Sequence, residues 1–88
     1  MAKNNFDSRE NDEIRDASFG ADAVKGMVLD FLADHADEYA GDPLVMDGEI
    51  VYDDEYSEYV QFCHDSDTDY ALVPYANGEV RLWYIGSR

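Results

Sequence analysis

Residues 21–40 read ADAVKGMVLDFLADHADEYA, and this stretch decides the fold. Val24, Met27, Val28, Phe31, Leu32, His35 and Tyr39 recur at steps of three and four, the spacing that lines one face of an α-helix. The periodicity predicts a helix from about Ala21 to Ala40. Gly41, followed by Asp42-Pro43, supplies the stop, because Gly accepts a left-handed cap and Pro cannot continue the hydrogen-bond ladder. At 100° per residue, Asp22, Asp30, Asp34 and Asp37 gather on the side away from that apolar face, with Glu38 at its edge. The helix offers Lys25 alone to balance them.

Past Pro43 the period changes from 3.6 to two, which predicts strands. Leu44 to Met46 and Glu49 to Tyr52 flank Asp47-Gly48, a dipeptide suited to a tight hairpin turn. A second short helix over 44–52 is the alternative. Tyr56 to His64 alternates Val60 and Phe62 against Tyr59, Gln61 and Cys63. Asp65 to Asp69 forms a polar loop, Tyr70 to Tyr75 the next strand, and Asn77-Gly78 turns the chain into Val80 to Ile85. The expected architecture is α+β: one amphipathic helix packed on an antiparallel meander of three to four strands. Residues 17–88 make this single acidic domain. Residues 1–16 hold only Phe6 and Ile14 as large apolar side chains and read as a mobile or loosely docked N-terminal arm, with a short helix around Glu10 to Ala17.

Charge bounds the function. The 88 residues contain 21 Asp and Glu against six Lys and Arg, a formal net charge of -15. Residues 17–88 hold 16 of the acids and three of the bases, so -13 of that charge belongs to the part expected to fold. Direct nucleic-acid binding needs the opposite sign, as does attraction to an anionic membrane. No apolar run approaches the roughly 20 residues of a spanning helix. The N-terminus lacks the hydrophobic core of a signal peptide, which predicts a cytoplasmic protein. Cys63 has no partner for an internal disulfide, in keeping with a reducing compartment.

Three acidic groups are candidate partner-binding sites. The first is the helix face with Asp30, Asp34, Asp37 and Glu38, where like charges four apart repel by a few tenths of a kcal/mol per pair. A sequence selected for stability alone would mix in Lys. The second is Asp53, Asp54, Glu55, Tyr56, Glu58 and Tyr59, in which carboxylates alternate with the large amphipathic side chains favoured at interface hot spots. The third is Asp65, Asp67 and Asp69, spaced like the opening of a calcium loop. That loop needs Gly at its sixth position and Glu at its twelfth; here they are Tyr70 and Ala76. A solvated loop without metal is the expectation.

Catalytic patterns are missing. Cys63 and His64 are strand neighbours and point to opposite faces, so they cannot act as nucleophile and base together. His35 belongs to the apolar helix face. No Gly-rich phosphate loop, nucleophile elbow or zinc motif occurs, and no cofactor is expected. The sequence therefore predicts a binding protein and not an enzyme. Its expected partner is a basic nucleic-acid-binding protein or nuclease complex, approached by electrostatic steering.

In size and composition the chain resembles small phage-encoded antagonists of bacterial defence, the anti-CRISPR and anti-restriction proteins. The resemblance is of class, with no shared motif, and implies nucleic-acid mimicry without assigning any residue. Two alternatives share the same charge. One is an immunity or antitoxin protein blocking a basic nuclease toxin. The other is a generic acidic domain from a salt-loving organism, where acidity reflects the solvent.

Overall fold

The computed structural model describes residues 19–88; the arm and short helix expected within the first 18 residues lie outside them. The described elements are α1 (Ala21–Asp34), β1 (Val45–Met46), β2 (Val51–Asp53), β3 (Glu58–His64), β4 (Thr68–Pro74) and β5 (Val80–Ser87). One helix packs on an antiparallel sheet of five strands, so the α+β expectation holds with one strand more than its upper count.

The helix is shorter than its apolar spacing suggests. Val24, Met27 and Val28 are buried and Phe31 and Leu32 half-buried, as the 3.6 period requires. Regular α-helix nevertheless stops at Asp34, and residues 35–41 continue as turns. Helix C-termini carry partial negative charge and favour cations. Here the last turn has no base, and Asp34, Asp37 and Glu38 crowd that end. The apolar stripe outlives the helix: the Phe31 and His35 rings lie 4.3 Å apart, and His35 and Tyr39 6.3 Å apart.

β3, β4 and β5 form the meander that the period-two pattern anticipates. Gln61 pairs with Leu72, and Leu72 with Leu82. Alternation gives the sheet two faces. Cys63, Leu72 and Val80 meet Val24, Met27 and Val28 of the helix, with Tyr59, Tyr70 and Leu82 packed around them. Val60, Ala71, Val73, Tyr75 and Trp83 form a second cluster, joined by Tyr56 from the turn before β3. Its polar tips are satisfied: the Trp83 indole N–H donates to the Tyr75 hydroxyl at 2.8 Å. Tyr56 stands edge-on to Trp83, centroids 5.4 Å apart.

The first two strands correct the sequence reading. Leu44 to Met46 and Glu49 to Tyr52 do not pair with each other, and no hairpin forms at Asp47-Gly48. Both β1 and β2 instead pair antiparallel with β3, Val45 opposite His64 and Val51 opposite Val60. Residues 47–50 on this edge face only residues 61 and 62 of β3, so two extra residues bulge outward. Gly48 makes the bulge with φ 75°, and the Gln61 amide donates to its carbonyl at 3.1 Å. The Asp47 N–H donates to the Phe62 carbonyl at 2.9 Å, which returns the chain to the ladder.

Asn77-Gly78 does turn a hairpin. Only Gly78 is left-handed, at φ 91°, and its N–H donates to the Tyr75 carbonyl at 2.9 Å. This is a three-residue loop with a glycine bulge, in place of the two-residue turn that needs positive φ at both central positions.

Candidate functional site

The three acidic groups take different structural positions. On the helix, Asp30 and Asp34 are exposed and make no hydrogen bond or ion pair among the described residues. They line a cleft of ≈ 200 Å³ with Glu79, contributed by the β4–β5 turn. Met27, Phe31 and Val80 supply apolar walls, and His35 closes one end. The Asn77 side chain accepts the Glu79 N–H at 3.2 Å, which fixes the conformation of the turn. Asp37 and Glu38, expected on the same helix face, fall beyond its end. Glu38 accepts from His35 Nδ1 at 2.5 Å, and Asp37 is exposed in the turn region.

The segment from Asp53 to Tyr59 divides between surface and interior. It comprises the end of β2, the turn Asp54–Ser57 and the start of β3. Asp53 Oδ1 accepts the Glu55 N–H at 3.0 Å, and its carbonyl accepts the Ser57 N–H at 2.7 Å. Ser57 adopts φ 58°, a left-handed conformation uncommon for a side-chain-bearing residue. Asp54 and Glu55 are exposed, whereas Tyr56 and Glu58 are both only 3 % accessible and turn inward. Tyr59 packs toward the helix and meets the exposed Tyr52 ring edge-on at 5.4 Å. A partner on this segment would therefore touch Asp54, Glu55 and Tyr52, and not Tyr56 or Glu58.

In the third group the alternate aspartates do not converge. Asp65 Oδ1 accepts the N–H groups of Asp67 and Thr68, both at 2.9 Å, and Oδ2 accepts the Tyr70 hydroxyl at 3.2 Å. These donors, the Asp67 N–H first, hold the Asp65 carboxyl below its ordinary range. Burial pushes the Tyr70 phenol up, so it stays a neutral donor. Asp65 thus closes the β3–β4 turn and has little coordination capacity left for calcium. Asp67 is exposed. Asp69, directly opposite His64, bonds Arg88 Nη1 at 3.0 Å.

Sequence reasoning missed Asp47, His64 and Glu79. Both Asp47 carboxylate oxygens lie 2.8 Å from His64 Nδ1. Together with Asp69 they place one possible metal-ligand atom each within 4.8 Å of one another. The contact spans 17 residues and depends on the bulge, which local pattern does not encode. Glu79 reaches the helix acids only through the tertiary placement of the hairpin. The separation expected of Cys63 and His64 is observed: Cys63 is buried against the helix while His64 is paired with Asp47. Burial, reinforced by Asp47 and Asp65, pushes the Cys63 thiol up to about 12.

Among the described residues no helix is long and apolar enough to cross a membrane. No family model matches the chain, and no curated protein or solved structure is significantly similar to it.

Proposed function

We propose that this chain is an inhibitor that occupies the basic nucleic-acid-binding surface of a partner protein or nuclease complex by imitating nucleic-acid charge. The observation that carries the reading is the cleft where Asp30, Asp34 and Glu79 meet above Met27, Phe31 and Val80. Lys and Arg side chains have an apolar stem and a cationic head. Such a cleft suits them, with the stem on Phe31 and Val80 and the head among three carboxylates. Asp54 and Glu55, at the turn before β3, add a second anionic contact. The -13 charge of residues 17–88 supplies the long-range attraction that speeds docking onto a basic groove. Binding in place of catalysis is favoured by a cysteine whose thiol is buried and protonated at neutral pH. A phage-encoded anti-CRISPR or anti-restriction role is the specific form we propose.

The test is capture from bacterial lysate on the immobilised chain, repeated with competing duplex DNA and with an Asp30→Lys/Asp34→Lys/Asp37→Lys variant. The expected catch is a basic nucleic-acid enzyme that DNA displaces and the variant fails to retain. A catch of neutral metabolic proteins, or retention indifferent to DNA, refutes mimicry.

A further inference from the structure

We propose that Asp47, His64 and Asp69 bind one divalent first-row transition ion, with zinc as the type case. The three side chains come from three separate segments and converge on one spot at the sheet edge. Backbone pairing fixes each of them. His64 and Asp69 are direct partners in the β3–β4 ladder. Asp47 leaves β1 just after Val45 pairs with His64, and its N–H is held by the Phe62 carbonyl. Their ligand atoms lie within 4.8 Å of one another, the closest pair at 2.8 Å. Ligands at zinc distances of about 2.1 Å in a tetrahedron sit roughly 3.4 Å apart. Rotation about the side-chain χ angles is the movement by which the site would close that difference.

The donor set selects the metal class. Carboxylates alone suit calcium or magnesium, whereas an added imidazole suits zinc and its neighbours. Two carboxylates and a neutral imidazole give the site a charge of -2, which one divalent ion balances. At present the imidazole stands against Asp47, and the Arg88 guanidinium against Asp69. Arg88 is 41 % exposed, so it can swing into water at little cost when an ion takes its place. Three protein ligands leave the remaining position to water. The bound ion would fasten the bulge at residues 47–50 to the β3–β4 hairpin.

Two other clusters sharpen the choice. His35 pairs with Glu38, but among the described residues no third potential ligand atom gathers with that pair. The Asp65, Asp67 and Asp69 series contains no nitrogen, and Asp65 is engaged by backbone N–H groups. Each lacks what the Asp47, His64 and Asp69 set has.

The experiment titrates chelator-stripped protein, full chain, with zinc chloride by calorimetry and with cobalt chloride by NMR. One zinc per chain is expected, weakened at least about tenfold by His64→Gln and by Asp47→Asn. Arg88→Ala is expected to tighten binding, since Asp69 loses its competitor. An acidic protein binds many cations weakly, and His64→Gln preserves all 21 acids, so non-specific binding would survive it. Equal affinity of wild type and His64→Gln, or no one-to-one binding by wild type, overturns the proposal. The cobalt arm needs no variant: His64 ring signals shift and broaden far more strongly, as those of a direct ligand do, than the signals of His35. Equal response of both rings, or of His35 alone, refutes the site.

Discussion

Asp65 and Asp34 have the same side chain and opposite employment. Asp65 spends its carboxylate on two backbone N–H groups and a tyrosine hydroxyl, closing a hairpin. Asp34 sits at the C-terminal end of a helix, where its charge opposes the local backbone dipole, and bonds nothing among the described residues. The contrast extends outward. Asp42 accepts both the N–H and hydroxyl of Ser66, and Asp53 caps the turn at Glu55. Asp30 and Glu79 instead face the cleft that Asp34 lines. Composition counts these acids alike. The structure divides them into one group that holds turns and another that lines a cleft, and the second carries the proposed binding surface.

The largest effect expected from this division is on binding. Reversing Asp30, Asp34 and Asp37 to lysine should weaken affinity for the captured partner by about a hundredfold or more, since close interfacial charge pairs couple by several kcal/mol. Surface plasmon resonance on the purified partner measures it. An unchanged affinity would move the contact surface to Asp54 and Glu55.

Next is the fold. Asp65→Ala should lower the melting temperature by roughly 5 °C or more while leaving partner binding intact. A pH series isolates the same carboxylate. Its folded pKa lies below the ordinary aspartate value of 3.8, so its stabilisation is complete above that value. The stabilisation is lost as pH falls through the lowered folded pKa. The difference between wild type and Asp65→Asn should therefore shrink on acidification, whatever the other acids do. A difference that grows toward low pH would contradict the assignment.

A smaller effect of opposite sign is expected at Asp34. Asp34→Lys places a cation at the helix C-terminus and should raise stability by about 0.3–1 kcal/mol. Thermal melts at low ionic strength check it, and destabilisation would mean that this acid serves the fold after all. The least effect belongs to Asp67, a loop neighbour of Asp65 with no side-chain bond among the described residues. Asp67→Ala should leave the melting temperature within error. Melts across salt address the halophile alternative: unfolding at low salt, with folding only near molar salt, would attribute the charge to solvent.

What the sequence discloses is whatever depends on neighbours along the chain. The stripe from Val24 to Leu32 and the alternation from Tyr59 to Cys63 are local, and both appear as expected. Asp30 and Asp34 were legible as exposed acids because helical spacing alone puts them away from Val24 and Val28. The pairing of Val51 with Val60 was not legible, because the Asp47-Gly48 dipeptide suits a hairpin and a bulge equally well. The inward turn of Tyr56 and Glu58 was hidden for a similar reason. It depends on the second cluster, where Tyr56 meets a residue 27 positions away at Trp83. Glu79 and His64 became candidate contacts only through strand register and hairpin placement.

The hydrogen bond from Trp83 to Tyr75 has a practical consequence. Trp83 is the sole tryptophan, 1 % accessible, with the Tyr56 ring against it and the Tyr75 hydroxyl on its indole nitrogen. The chain thus contains a built-in optical gauge. Its emission should be blue-shifted in the native state and excited in part by energy transfer from the nearby tyrosines. Any event that loosens the β4–β5 ladder will be read as a red shift from a single known position, with no label attached to the acidic surface.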